Sequence, residues 1–489
     1  MTVMADAPTP TPLLTDPTTS RRDRVPPAWA VLLVACAGQF LVVLDVSVVN
    51  VALPSMRTDL GLSAFGLQWV LNAYSIAFAG FMLLGGRAGD IFGSKRMFLL
   101  GLGVFTAASL AGGLAQEGWQ LLAARALQGL GAAVLSPATL TLLTSAVPAG
   151  PARTRAIGTW AAVGAGGGAA GGLIGGVLTD ALSWRWTLLI NVPIGAVVLV
   201  AAVLWLAEHK AGARHRLDLA GALLVTGGLA VLAFGIVQTE SAGWAAAATL
   251  VPLLAGLALL GAFLLVEART AEPLMPLRVF RTRTVSAANA GMFVAGSAMF
   301  CTWFFMTVYA QNVLDYTPLG AGLALIPSSL SVVLGAKLAP VLMQRIGART
   351  TAVLGALTAA AGMAWQSAMT PDSPYLSGIL GPGILMLTGA GLATTPLAHL
   401  ATASAGPGEA GLVSGLVNTS RTMGGALGLA TLSTVAAAAT GGSPTPEALT
   451  DGYAAAFAVG AWVLAGCALM LRIWLPRERA VRPGAAPRG

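Results

Sequence analysis

The stretch LDVSVVNVALP (residues 44–54) places a carboxylate, Asp45, inside an apolar run that starts near Ala28. A run of roughly 20 apolar residues is long enough to cross the hydrocarbon core of a bilayer, which is about 30 Å thick. An ionised side chain at that depth costs about 3 kcal/mol or more, so an embedded acid marks a functional site by default. The stretch therefore predicts a membrane-spanning helix that carries a functional acid.

The rest of the chain has the same character. Only 9% of its 489 residues are charged, 56% are hydrophobic and the mean hydropathy is +0.79, whereas soluble domains carry about 25% charged residues. Apolar runs recur as far as Leu475, which predicts an all-α polytopic membrane protein with fourteen transmembrane helices. We place these spans at about 28–53, 66–86, 97–115, 120–146, 156–179, 187–207, 218–238, 246–266, 284–310, 318–340, 351–369, 376–400, 411–437 and 453–475.

The Lys and Arg residues indicate how the chain is oriented. With the N-terminus in the cytoplasm, all but five of the 27 cations fall in cytoplasmic segments, as the positive-inside rule requires. The exceptions are Arg57 and Arg185 in outer loops and Arg125, Lys337 and Arg421 within spans. The C-terminus is then cytoplasmic too. The net charge of +8 reflects this topology and contact with anionic lipid headgroups, so no nucleic-acid partner is expected.

A weak internal repeat divides the spans into two halves. GRAGDIFGSK (86–95) aligns with PVLMQRIGAR (340–349), and the offset of 254 residues (86 to 340) also superposes the first span on the ninth. We predict two six-helix halves plus two inserted helices, with a site between the halves near the midplane. The predicted divisions are a disordered cytoplasmic tail (1–27), the N-terminal half (28–207), the inserted pair with its loops (208–283), the C-terminal half (284–475) and a basic cytoplasmic tail (476–489).

Asp45 and Arg125 are predicted to lie at similar depths in the membrane. Asp45 is about eight residues before the outer end of the first span, and Arg125 is about six residues after the outer end of the fourth. Each charge would lower the burial cost of the other, and a carboxylate between burial and a cation can load and release a proton. A static buried ion pair is the alternative. For Arg125, a supporting role competes with a direct one.

Two further motifs indicate moving parts. The loop GRAGDIFGSKR (86–96) joins spans two and three, and we interpret it as a gating latch; a purely topogenic loop is the alternative. Its candidate residues are Gly86, Asp90, Gly93, Lys95 and Arg96.

Span five carries a small-residue surface that is typical of close helix contacts, whether sliding or static. Its glycines are Gly164, Gly168, Gly172 and Gly176 in one row, and Gly167, Gly171 and Gly175 beside it.

Polar and aromatic residues within the spans are candidates for a substrate cavity, although Trp and Tyr also form interfacial belts. They are Asn50, Trp69, Tyr74, Gln128, Trp303, Tyr309, Asn418 and Arg421. The three cysteines, Cys36, Cys301 and Cys467, lack metal-ligand spacing, so no metal, disulfide framework or cofactor is expected. The sequence contains no HExxH, GxSxG or GxxxxGK[ST] motif, which disfavours an enzyme or an ATP-driven pump.

Together these stretches resemble the major facilitator superfamily, in its fourteen-span drug:proton antiporter branch, from Ala28 to Leu475. LDVSVVNVALP is similar to the first-span motif of the branch, GRAGDIFGSKR to the superfamily's loop motif, and RALQGLGAA, from Arg125, to its fourth-span motif. WRWTLLINVPIG from Trp184, EPLMPLRVF from Glu272 and GLVSGLVNTSRTMGGALG, which contains the arginine at 421, are typical of this branch. The resemblance implies that Asp45 carries the proton, that Arg125 takes part in coupling, and that the loop motif gates a central cavity.

Two departures from the branch pattern are visible. Gly171–Gly172 stands where the fifth-span motif has Gly-Pro, which removes a bend associated with antiport. Ile91 stands where the loop motif has arginine, so a charge contact of the family cannot form there.

The resemblance implies export of amphipathic drugs or antibiotics across the cell membrane by proton antiport, with alternating access and the proton-motive force as energy source. Because Asp45 is the only acid predicted deep in a span, neutral, zwitterionic or monocationic cargo is expected. Export of one dedicated metabolite or lipid, and proton-coupled uptake, remain alternatives. A monomer is expected, and the Ala-, Gly- and Arg-rich composition favours a bacterial source.

Overall fold

The computed structural model describes residues 27–148, 151–207, 218–270, 273–404, 410–443 and 445–476. Within these ranges it contains fifteen α-helices, a 3₁₀ helix (Leu277–Arg281) and a π helix (Leu376–Leu380), and no β-strand. The α-helices are α1 (Ala28–Leu60), α2 (Ala64–Phe92), α3 (Ser94–Gly113), α4 (Gly118–Ala146), α5 (Pro151–Ala181), α6 (Trp186–Leu189), α7 (Asn191–Trp205), α8 (Leu219–Ala242), α9 (Ala247–Arg269), α10 (Arg283–Asn312), α11 (Pro318–Ile346), α12 (Ala348–Gln366), α13 (Gly381–Ala403), α14 (Ala410–Thr440) and α15 (Pro446–Trp474). Both predicted tails, apart from Pro27 and Pro476, lie outside the described residues.

These helices agree with the predicted spans. Thirteen are long and apolar enough to cross a membrane when α6 and α7 are counted as one broken helix, Trp186–Trp205, and the π helix is counted with α13. The remaining predicted span is α12, a helix of 19 residues with lower hydropathy. The prediction of an all-α polytopic membrane protein is confirmed.

Helix α1 continues to Leu60, beyond its predicted end at residue 53. Its last turn carries Asp59, whose Oδ2 accepts hydrogen bonds from Nε1 of Trp184 (2.9 Å) and Nη1 of Arg185 (2.5 Å). Gly61 then ends the helix in the left-handed conformation, with φ of 60°. The apolar pattern did not reveal this extension because it is polar and lies at the surface.

The backbone repeats in the two halves. Helix α11 begins and ends 254 residues after α2 (64 to 318 and 92 to 346). Each helix is followed by a single glycine with positive φ, 99° at Gly93 and 83° at Gly347, before the next helix begins. Only glycine adopts such a backbone freely. The aligned pair of sequence motifs therefore folds into the same tight helix–helix corner twice.

Close helix crossings repeat as well. A Cβ atom on Gly101 of α3 would lie 2.9 Å from the carbonyl oxygen of Gly131 in α4. A Cβ atom on Gly355 of α12 would lie 2.8 Å from the carbonyl oxygen of Gly389 in α13. The glycines allow the two backbones to touch, and they show that α13 follows α4 at an offset of 258 residues (131 to 389).

The two halves touch each other near both faces of the molecule. We call the face at Gly93 the loop-motif face and the face at Leu60 the opposite face. Towards the opposite face, α5 meets α11, where a Cβ on Gly176 would lie 2.6 Å from the Cα of Leu319. Towards the loop-motif face, α2 meets α14, where a Cβ on Gly415 would lie 3.2 Å from Cδ2 of Leu83.

The inserted pair, α8 and α9, covers the seam between α2 and α14. One buried apolar cluster joins Ile76 of α2, Leu229 of α8 and Ala426 of α14. The hydroxyl of Thr434 in α14 also donates to the carbonyl of Ile236 in α8 (3.3 Å). Helix α8 therefore contacts both halves. Helix α9 packs on α8 and presents exposed apolar side chains, among them Leu250, Val251, Leu254, Leu257, Leu264 and Leu265.

Candidate functional site

The structure brings Asp45 and Arg125 together. Asp45 lies midway along α1, and Arg125 lies two turns into α4. The Nη1 atom of Arg125 is 2.5 Å from Oδ2 of Asp45, and both side chains are fully buried. A close pair of opposite charges compensates part of the cost of burying each one.

Three more side chains complete what we call the Asp45 network. Oδ1 of Asp45 accepts hydrogen bonds from Nδ2 of Asn191 (2.8 Å) and from Nε2 of Gln128 (3.0 Å). The same Gln128 nitrogen also donates to the hydroxyl of Ser109 (2.6 Å). With Arg125, the carboxylate thus accepts three hydrogen bonds. These hydrogen bonds offset part of the cost of burying the carboxylate.

Arg125 is held from several sides. Its Nε donates to the carbonyl of Val70 (3.0 Å) and its Nη1 to Oε1 of Gln128 (2.9 Å), while the guanidinium lies over the ring of Tyr74, 4.4 Å from the centroid. Its Nη2 is buried and has no hydrogen-bond partner among the described residues. An unpaired buried donor is costly, so Nη2 is available to an acceptor that arrives or moves.

Sequence reasoning missed Ser109 and Asn191. Asn191 lies in the stretch WRWTLLINVPIG, and it is the only amide side chain in α7, a helix that is otherwise apolar except for the indole of Trp205. That isolation was a signal that could have found it. Ser109 gave no comparable signal, because serine is common in membrane helices and often bonds its own backbone.

The Asp45 network lies within the N-terminal half, on α1, α3, α4 and α7. The offset of 254, which also relates Gly101 of α3 to Gly355 of α12, places Met363 at the position of Ser109 in the other half. The offset of 258 for α13 places Met386 at the position of Gln128. Two polar members of the network in one half thus correspond to thioether side chains in the other.

The loop-motif residues form a tight corner. Gly93 separates α2 from α3, and Asp90 and Arg96 are exposed there. Gly86 faces Cβ of Pro137 in α4, 3.8 Å from the position of a Cβ of its own. The ammonium of Lys95 donates to the carbonyls of Val203 (3.0 Å) and Leu206 (2.5 Å). Lys95 therefore caps the end of α7, since the last carbonyls of a helix lack backbone partners.

The glycine surface of α5 has two partners. Gly167, Gly171 and Gly175 lie against the backbone or side chains of α1, and the hydroxyl of Ser47 in α1 donates to the carbonyl of Gly168 (2.7 Å). Gly164 also faces α1, whereas Gly172 and Gly176 face α11 of the other half. Helix α5 thus links the helix that carries Asp45 to the opposite half.

The cavity candidates fall into separate groups. Tyr74 and Gln128 contact Arg125. In the C-terminal half, Nη2 of Arg421 donates to Oδ1 of Asn418 (2.8 Å), one turn away on α14. The hydroxyl of Tyr309 donates to the carbonyl of Thr370 (2.6 Å), and this contact gives Tyr309 a structural role at the end of α10.

The other cavity candidates are aromatic or amide side chains near the seam between the halves. Trp69 packs beside the cluster that joins α2, α8 and α14. Oδ1 of Asn50 and Nε1 of Trp303 are buried without hydrogen-bond partners among the described residues. The same is true of both polar atoms of Asn72, which is 1% exposed and which sequence reasoning did not select. Such atoms are suited to bind a polar group of a cargo molecule.

Comparison with known proteins decides the family. The sequence profile of the Major Facilitator Superfamily matches residues 35–429. The chain belongs to the major facilitator superfamily. A solved structure of a POT family transporter in complex with 5-aminolevulinic acid superposes with a TM-score of 0.68 at 13% identity, over 90% of this chain and 95% of that one. This likeness concerns the fold.

Two relatives are similar over nearly their full lengths. The cephamycin export protein CmcT of Amycolatopsis lactamdurans is 47% identical, over 95% of this chain and 96% of its own. The puromycin resistance protein pur8 of Streptomyces alboniger is 40% identical, over 94% of both chains. This major facilitator protein is therefore a multi-pass membrane protein of a bacterial transporter type.

Proposed function

We propose that this major facilitator protein exports an antibiotic by proton antiport, with Asp45 as the proton carrier. The observation that carries the proposal is the fully buried Asp45–Arg125 pair with its 2.5 Å contact. Full-length similarity to an export protein and to a resistance protein supports the direction and the class of cargo. The loop-motif face and both termini are then cytoplasmic, and one chain supplies the whole path.

Protonation of Asp45 would change the contacts of two helices. A proton on Oδ2 removes the charge that Arg125 pairs with, while Oε1 of Gln128 and the carbonyl of Val70 remain as acceptors for the guanidinium. The attraction between α1 and α4 then weakens. Because α1 bonds to α5 through Ser47, and α5 touches α11, a shift of α1 alters the contact between the two halves.

Transport into proteoliposomes tests the role of Asp45. Purified parent protein and the Asp45→Asn variant are compared under an imposed pH gradient, with puromycin and a cephamycin as cargoes. We expect the variant to lose accumulation against a gradient and to retain exchange down one, because an amide cannot release a proton. Asp451→Asn, which changes an exposed acid on α15, is the matched control. Uphill accumulation by Asp45→Asn would overturn the proposal.

A second candidate is dedicated export of one acid-bearing antibiotic. Arg421 lies well inside α14 and bonds only to the amide of Asn418 among the described residues, with no carboxylate partner. A cation embedded in a span without a counter-charge favours an anionic group on the cargo. Of the neutral, zwitterionic or monocationic cargo expected from the sequence, only a zwitterion carries such an anionic group. Competition of carboxylate-bearing and esterified forms of one antibiotic for transport distinguishes the two.

A further inference from the structure

Two buried acids lie where the inserted helices meet the loop-motif face. Asp218 precedes the first residue of α8, and Glu267 lies near the end of α9. They are 8% and 3% exposed, although acidic side chains are almost never fully buried unless they are paired. Neither belongs to the Asp45 network or to the seam that the halves form.

Each acid uses one oxygen to bind backbone. Oδ1 of Asp218 accepts from the amide of Gly221 (2.8 Å), and Oε2 of Glu267 accepts from the amide of Met275 (3.0 Å). The first contact caps α8, and the second holds the segment 273–276, which leads to the C-terminal half. Oδ2 of Asp218 and Oε1 of Glu267 remain buried without hydrogen-bond partners among the described residues.

These two free oxygens point to the same place. A Cβ atom on Gly221 would lie 2.7 Å from Oδ2 of Asp218 and 2.9 Å from Oε1 of Glu267. The oxygens are therefore less than about 6 Å apart, which is close enough for like charges to interact strongly. Glycine at 221 leaves the space between them open.

Counted over the described residues alone, the charges at this place leave one negative charge uncompensated; the neighbouring residues 214–217 and 272 lie outside the described ranges. The guanidinium of Arg87, at the end of α2, interacts electrostatically with Glu267 and donates to the carbonyl of Pro273 (2.8 Å). The segment 273–276 (PLMP) adds no titratable side chain. Two ionised acids and one guanidinium carry a net charge of −1. No group of three acidic, His or Cys side chains that could hold a metal ion occurs among the described residues.

We propose that Asp218 and Glu267 share one proton between Oδ2 and Oε1 and so form a second protonation site, on the inserted helices. The proton makes one acid a donor to the other, which satisfies both free oxygens and neutralises the cluster. Loss of the proton leaves two repelling carboxylates. This repulsion displaces Glu267 from the amide of Met275 and so weakens the docking of the segment 273–276.

Infrared spectroscopy of the full-length protein in lipid nanodiscs tests the shared proton. The parent is expected to show the C=O stretch of a protonated carboxylic acid at neutral pH, and both Glu267→Gln and Asp218→Asn are expected to lack it. Asparagine preserves the helix cap. Asp451→Asn, at an exposed acid, is expected to keep the band. Absence of the band from the parent, or its survival in both variants, would overturn the proposal.

Thermal unfolding against pH gives a second readout. A proton held more tightly in the folded than in the unfolded state stabilises the protein at low pH, and this stability is lost as the pH rises through its release. In Glu267→Gln the amide is a permanent donor, so the variant is expected to lose this part of the pH dependence and to melt above the parent at alkaline pH. Equal pH dependence in both proteins, or stabilisation of the alkaline parent by Na⁺ or Mg²⁺ in place of a proton, would contradict the shared proton.

Discussion

At the scale of single residues, Asp45 is held by three donors from two other helices, α4 and α7. Arg125 supplies a charge, and Gln128 and Asn191 supply two amides at the other oxygen. A static ion pair would need only the first contact. The amides fix the orientation of the carboxylate and occupy Oδ1, so in the proposed antiport cycle the proton would bind at Oδ2.

Asn191→Leu tests this arrangement. The substitution removes one hydrogen bond to a buried carboxylate and keeps the branched heavy-atom skeleton, so we expect a loss of about 1–3 kcal/mol in the free energy of unfolding together with slower transport. Denaturant unfolding in detergent and transport in proteoliposomes are the measurements. Gln344→Leu, at an exposed position on α11, is the control and should change stability by less than about 0.5 kcal/mol. Equal effects of both variants would show that Asn191 only fills space.

Arg421 leads to a prediction about cargo recognition. If its guanidinium binds a carboxylate of the cargo, Arg421→Gln should raise KM for an acid-bearing antibiotic by about tenfold, or ~1.4 kcal/mol, with little effect on the ester of the same compound. Arg421→Lys keeps the charge and should recover part of the affinity. Equal loss for acid and ester would assign Arg421 to packing. Initial rates of transport for the two compounds provide the comparison.

At the scale of helices, α5 contains the position at which the family motif has a proline and this chain has a glycine. Residue 172 is glycine, and α5 runs without a break from Pro151 to Ala181. The carbonyl of Gly168, which a proline at 172 would deprive of its backbone donor, already accepts the hydroxyl of Ser47. If residue 172 were proline, the Ser47 hydroxyl would still bind the Gly168 carbonyl, so the contact between α1 and α5 tolerates a proline at this position.

A double-mutant cycle checks this reading. Gly172→Pro inside a helix should cost about 3 kcal/mol, less whatever the Ser47 hydroxyl restores at the Gly168 carbonyl. Ser47→Ala alone removes one hydrogen bond and should cost about 1 kcal/mol. We expect the double variant to lose more stability than the two single variants together, as measured by denaturant unfolding. Strict additivity would show that Ser47 and the 172 amide do not share the carbonyl.

At the scale of the whole molecule, much of the architecture followed from the sequence. The length of each apolar run predicted the helices, and the alignment of residues 86–95 with 340–349 predicted the two halves. Both features can be predicted because they are encoded locally in the sequence. The partners of Asp45 were harder to find, since Ser109 and Asn191 join it only through the packing of α3 and α7. The surface extension of α1 as far as Asp59 and the position of α8 across the seam also depend on tertiary contacts, which no local pattern encodes.

Cross-linking tests the movement of the halves. The Cβ position of Gly415 lies 3.2 Å from the side chain of Leu83, so a pair of cysteines at these two positions should react rapidly with a short thiol-specific cross-linker. We expect the linked protein to stop transporting and to recover on reduction, because rocking must separate α2 from α14. The three native cysteines are buried, and each single-cysteine variant serves as a control. Full activity of the linked protein would show that this contact stays closed throughout the cycle.

The position of α8 across the seam has a mechanical consequence. A helix fastened to both halves has to bend or slip whenever they separate, and it takes α9, with its outward leucines, along through the surrounding lipid. The surrounding acyl chains resist this movement and therefore lower the turnover rate of transport. Transport should therefore be slower in viscous, ordered bilayers, even at saturating concentrations of cargo and protons.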